Sequence, residues 1–166
     1  MSNNIIKYLL IFIPIIIGMS IGRIFGSKWN EKEYKEMKKP ELNPPNYIFG
    51  IVWPILYLLI GISYSNALYN KLSIKKLTYW IIPMFALIFN YLYTPIFFGH
   101  NGLLYGLIVV ILSLIFGILT FIQFQFYDNS YWIGKTKTAY LLIPYILWLM
   151  FASYLSYNIY VLNKEI

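Results

Sequence analysis

No cysteine occurs among the 166 residues, which excludes disulfides, thiolate nucleophiles and cysteine metal clusters together. Histidine occurs once, as His100, within a Gly99-His100-Asn101-Gly102 stretch that reads as a turn. One histidine builds no metal cluster and supplies no base to a Ser–His–acid arrangement, so no metal site, no cofactor and no conventional hydrolase is predicted. Charge is scarce too, at 11% of residues against roughly 25% in a soluble domain. The six carboxylates, Glu31, Glu33, Glu36, Glu41, Asp128 and Glu165, all lie outside the long apolar runs. A proton relay or ion-coupled pump needs ionisable groups inside the membrane, and none is available here. The net charge of +7 comes from short clusters between uncharged stretches. That is the pattern of membrane flanks, whereas a nucleic-acid binder gathers its cations on one face or arm.

What the chain has in plenty is apolar length. A bilayer core needs about 20 residues of helix, and five stretches qualify, at about 5–25, 46–70, 77–98, 103–127 and 138–163. No charged residue occurs between Lys76 and Asp128, too long for one span, and the turn around His100 divides it into two. The runs are continuously apolar rather than alternating, which favours helices over a barrel. The expected fold is therefore all-α, a single integral membrane bundle of five transmembrane helices over 1–166. The first run holds Pro14 and large residues with no small-x-small cleavage site, so it is expected to stay as a helix. Cations do not orient the bundle: Lys7, Lys71, Lys75, Lys76, Lys135 and Lys137 face Arg23, Lys28, Lys32, Lys35, Lys38, Lys39 and Lys164 across the membrane.

Aromatic residues make up 20% of the chain. Trp29, Tyr47, Tyr69, Tyr79, Trp80, Tyr127, Tyr131 and Trp132 flank the spans, as an interfacial belt does. The loop 27–45 mixes four glutamates with five lysines. Glu31 and Lys35 are an i,i+4 pair, and Trp29, Tyr34 and Met37 make a short amphipathic face before Pro40, Pro44 and Pro45 stop any helix. A structured lid and a solvated connector are both open readings.

Inside the spans, aromatic and small residues recur at helical spacing. The second helix carries Tyr47, Gly50, Trp53, Tyr57, Gly61 and Tyr64, the third Ala86, Asn90, Tyr93 and Phe97, the fifth Tyr145, Trp148, Ala152 and Leu155. Such stripes pack as a core or surround a flat apolar ligand. Asn90, an amide in mid-span, must bond across helices or to a ligand. Prolines 14, 54, 83, 95 and 144 free backbone carbonyls and open space between helices. Gly18, Gly22 and Gly26 form a close-approach face on the first helix.

The run KKPELNPPNYIFGIVWPILYLLIG, with NYLYTPIFF in the third helix and LLIPYILWLMFASYL in the fifth, resembles the translocator protein family, also called tryptophan-rich sensory proteins (TspO/MBR). With the glycines and Arg23 of the first helix, the resemblance covers nearly the whole chain. It implies a pocket beneath the first loop and a membrane receptor or carrier for porphyrins and other tetrapyrroles, with sterols as further ligands. It places Tyr47, Gly50, Trp53, Asn90, Tyr93, Trp148, Ala152 and Leu155 around that pocket, with Arg23 and Tyr105 near the rim, and Tyr57 joins these candidates from the stripe of the second helix. No acid–base catalytic residue is implied. If porphyrin is degraded photochemically, Trp53 and Trp148 are the electron donors. A third alternative is a structural or regulatory membrane protein without a small ligand. Leu42, Tyr47, Tyr93 and Tyr105 stand where the family has tryptophan. Pro54, Val109 and Ser156 are further departures. Leu155, Tyr160 and Lys164 can be read as a sterol-type motif. A homodimer, and the cell membrane if the source is prokaryotic, complete the expectations.

Overall fold

The computed structural model describes residues 2–26, 28, 32–69 and 76–164. The elements are α1 (Ser2–Phe25), α2 (Lys32–Glu36), α3 (Asn46–Leu68), α4 (Thr78–Phe97), α5 (Gly102–Phe126), β1 (Tyr131–Ile133), β2 (Thr136–Lys137) and α6 (Ile143–Asn163), with a 3-10 turn over Thr138–Leu142 leading into α6. Among the described residues, five helices are long and apolar enough to cross a membrane: Ile5–Phe25, Asn46–Leu68, Thr78–Phe97, Gly102–Phe126 and Thr138–Asn163. The protein is a five-helix, integral multi-pass membrane protein. Exposed Ile16, Ile55, Ile88, Ile115 and Leu147 show apolar outer faces on all five spans. Such surface suits hydrocarbon and not water.

Local chemistry explains the boundaries. Pro45 ends the extended segment and caps α3 at φ −56°. The turn between α4 and α5 needs a left-handed residue, and Asn101 takes it at φ 53°. The β1–β2 hairpin and the 3-10 turn were not legible in the sequence. The hairpin strands are too short to carry a period, and its turn depends on Gly134 at φ 55°.

Around the bundle, α1 lies between α3 and α4, α5 follows α4, α6 follows α5, and the 3-10 turn before α6 closes back on α3. A Cβ on Gly61 would lie 2.0 Å from the Ile11 carbonyl oxygen, so α1 and α3 touch backbone to backbone. Several buried polar groups find partners across the helices, as hydrocarbon favours. Tyr64 donates to the Pro83 carbonyl at 2.9 Å, and Ser65 to the Lys7 carbonyl at 2.9 Å. Ser63 and Thr138 donate to each other's carbonyls at 3.0 and 3.4 Å. Pro83 has no N–H for the Tyr79 carbonyl, and Gln123 Nε2 donates to that oxygen at 2.8 Å instead. The proline thus creates an acceptor that joins α4 to α5.

The described part of the loop 27–45 is a folded cap. Tyr34, on α2, is only 2% exposed and sits edge-on to Phe97 at 6.3 Å and Phe98 at 5.9 Å. The Lys39 ammonium lies 4.0 Å from the Tyr34 ring centre. The Lys38 N–H donates to Asn163 Oδ1 at 2.9 Å, and Asn163 Nδ2 donates back to the Lys38 carbonyl at 2.8 Å. This pair ties the cap to the end of α6. Trp29 and Glu31 lie outside the described residues, so the Glu31–Lys35 pair cannot be placed. The ion pair seen on α2 is Lys32–Glu36 at 3.5 Å, exposed and of small consequence.

Candidate ligand-binding site

Beneath the cap, the ring of helices encloses a cavity of about 910 Å³. The α1 wall is formed by Gly18, Gly22 and Gly26, with Arg23 at the mouth. Residues Tyr47, Gly50, Trp53 and Tyr57 come from α3, Asn90 and Tyr93 from α4, and Trp148, Ala152 and Leu155 from α6. The structure therefore brings ten of the eleven anticipated residues to one cavity. Tyr105 is the exception: it is 49% exposed on the first turn of α5 and does not line the cavity. Its neighbour Gly106 packs on Phe97, and one residue along a helix turns the side chain about 100° away.

Aromatic faces dominate the walls. Trp53 stacks on Tyr57 with ring centres 5.3 Å apart, and Trp148 stands edge-on to Trp53 at 6.5 Å. Phe49 meets Trp148 edge-on at 5.7 Å. The polar groups are few. Tyr57 donates to Asn90 Oδ1 at 2.8 Å, so Asn90 both joins α4 to α3 and faces the cavity. Tyr93 and Ser156 share a hydrogen bond of 2.8 Å, which joins α4 to α6 at the cavity. Trp148 Nε1 is buried and has no hydrogen-bond partner among the described residues. Arg23 is the one charged side chain among the described residues that line the cavity.

The glycine face of α1 needs correction. A Cβ on Gly18 would lie 2.1 Å from the Tyr57 ring, so this glycine is a close-approach position. Gly22 and Gly26 have nothing within 4 Å of such a Cβ and open onto the cavity. The three share a face, but two of them make room and only one makes contact. Tyr34 and Tyr91 also line the cavity and were not anticipated there. Tyr91 lies beside Asn90 in sequence, and its hydroxyl donates to the Pro14 carbonyl of α1 at 3.0 Å. Only the order of helices around the ring could have revealed that. Leu155 is buried at the cavity while Lys164 is exposed, so the sterol-type triplet with Tyr160 does not share one outward face.

The TspO/MBR family pattern matches residues 10–162. The chain belongs to this family. It is 32% identical over 164 residues to the tryptophan-rich protein TspO of Archaeoglobus fulgidus, covering 96% of this chain and 99% of that protein. It is 33% identical over 130 residues to the TspO of Bacillus cereus, covering 78% and 80% of the two chains. The human translocator protein is 30% identical over 149 residues, covering 85% of this chain and 83% of its own. In this TspO/MBR protein, Trp53, Trp148, Tyr47 and Tyr93 all stand in the cavity walls.

Proposed function

We propose that this TspO/MBR protein is a membrane receptor or carrier for tetrapyrroles, bound in the cavity beneath the cap. The observation that carries this reading is the chemistry of the walls. Aromatic faces suit a flat macrocycle, and Trp148, whose buried Nε1 has no hydrogen-bond partner among the described residues, stands in that wall. Arg23 at the mouth suits the carboxylates that porphyrins carry at one edge. Other flat apolar ligands, sterols included, would compete for the same space. The test is a protoporphyrin titration of the purified protein in detergent, followed by tryptophan quenching in the dark. Saturable quenching is expected, and only linear quenching would overturn the reading.

The perpendicular Trp53–Trp148 pair favours a second reading, light- and oxygen-dependent breakdown of bound porphyrin. Indoles beside a photoexcited macrocycle donate electrons without any acid or base. Porphyrin bleaching under light should then exceed that in empty detergent and fall in Trp53→Phe and Trp148→Phe. Equal bleaching removes this second reading and leaves the first intact.

A further inference from the structure

At the end of the bundle opposite the cap, a second cavity of about 480 Å³ lies between the end of α5, the β1–β2 hairpin and the turn before α6. Its lining includes Gln125, Tyr131, Lys135, Lys137 and Tyr140. Lys137 donates to the Gln125 carbonyl and so neutralises the negative end of α5. Lys135 is exposed and has no ion-pair partner among the described residues. Gln125 Nε2 donates to the Tyr140 hydroxyl at 3.4 Å, and its Oε1 is buried with no hydrogen-bond partner among the described residues. The acid of this segment, Asp128, accepts from Ser130 at 2.6 Å and does not line the cavity.

Two further observations say what covers this cavity. All three residues of β1, Tyr131, Trp132 and Ile133, are exposed, as are Phe126 at 73% and Tyr127 at 75%. A two-stranded hairpin that buries so little is marginal in water and needs a surface against its apolar side chains. Charge points the same way. In sequence, this end of the molecule, with Lys7 of α1 and five lysines in the connections, carries six lysines and one aspartate, against seven cations and five glutamates at the capped end. Counting cations alone hides this asymmetry.

We infer that the hairpin cavity binds the headgroup of an anionic phospholipid that carries hydroxyls, of the phosphatidylglycerol class. Lys135 and Lys137 take the phosphate, and the Gln125 amide takes a headgroup hydroxyl, which both donates and accepts. The aromatic side chains of the hairpin lie along the acyl chains at the interface. Free phosphate offers the same charge but nothing to the apolar rim, so the occupant is the lipid.

The full chain, released from mixed micelles of phosphatidylglycerol and phosphatidylcholine, is examined by native mass spectrometry for retained lipid. The wild type should retain phosphatidylglycerol preferentially. Lys135→Gln, a change at an exposed side chain, should cut that preference about fivefold, from roughly 1 kcal/mol per lysine near an anionic surface. Lys135→Arg should keep it. Gln125→Leu should retain phosphatidylmethanol, which lacks the hydroxyls, as well as phosphatidylglycerol, whereas the wild type prefers the latter. Equal retention of the two micelle lipids by the wild type, or an undiminished preference in Lys135→Gln, overturns the proposal. Displacement of the lipid by excess inorganic phosphate at matched ionic strength also overturns it, because the cavity would then be a free-anion site.

Discussion

At the scale of single residues, two glycines one helical turn apart have opposite duties. Gly18 gives the Tyr57 ring its place, since a Cβ there would overlap the ring at 2.1 Å. Gly18→Ala must therefore displace Tyr57 and strain its bond to Asn90, costing about 1–3 kcal/mol as overpacking does. Gly22→Ala meets nothing within 4 Å and should leave stability unchanged or slightly raised, while its methyl narrows the cavity. Thermal unfolding in detergent checks the pair: Gly18→Ala should melt earlier and Gly22→Ala should not. Equal melting of both variants would mean that Tyr57 is not held against α1. The Asn90–Tyr57 bond is testable in the same way. Asn90→Leu should cost about 0.6 kcal/mol and no more than about 1.7 kcal/mol, the average and the maximum for hydrogen bonds between membrane helices. A double-mutant cycle with Tyr57→Phe isolates the coupling, and additive effects would show that no bond is made.

At the scale of elements, the spans were legible because hydrocarbon demands a length of apolar helix, and Gly99 to Gly102 could only be a turn. Nine of the ten cavity residues lie on stripes at three- and four-residue spacing. Those stripes fit a packed core equally well, and it was the family resemblance that implied a pocket there and added Arg23. The stripes do not say which helix stands opposite, so Tyr91 and the roles of Gly22 and Gly26 stayed hidden until α1 was found between α3 and α4. The cap was ambiguous for a related reason: Tyr34, its one buried aromatic among the described residues, gains meaning only from Phe97 and Phe98, 63 and 64 residues away in sequence. Burial pushes the Tyr34 phenol above its usual 10.0, against a smaller opposing effect from its hydrogen bond to Asn43. The docked cap therefore prefers the neutral phenol, so this contribution is complete below pH 10 and fades as pH rises through the elevated value. Lys39, pushed below its usual 10.5 by burial, acts in the opposite sense just under that value. Proteolysis of the cap should accelerate above about pH 10 in the wild type and lose that acceleration in Tyr34→Phe. Tyr34→Phe cleaved with the same pH profile would place the titrating group elsewhere.

At the scale of the whole molecule, the cavity exists because five helices form a ring and the cap closes one end of it. A residue 125 positions away in sequence holds that closure: the Asn163 side chain pairs with both backbone groups of Lys38. The pair copies two rungs of a β-ladder, and its loss frees the cap without touching the walls where Trp53 and Trp148 stand. Asn163→Leu should therefore leave the aromatic contacts of a bound macrocycle in place and change mainly the rate at which it leaves. Trp53→Phe with Trp148→Phe should do the reverse, losing roughly 0.5–1.5 kcal/mol per aromatic contact with the cap still closed. Stopped-flow release of protoporphyrin into excess apo-acceptor distinguishes them. If the cap is the gate, Asn163→Leu speeds both entry and release, and the equilibrium affinity changes less than either rate. If affinity instead falls in step with the release rate and entry is unchanged, the cap is a wall of the site and ligand exchanges between helices from the bilayer.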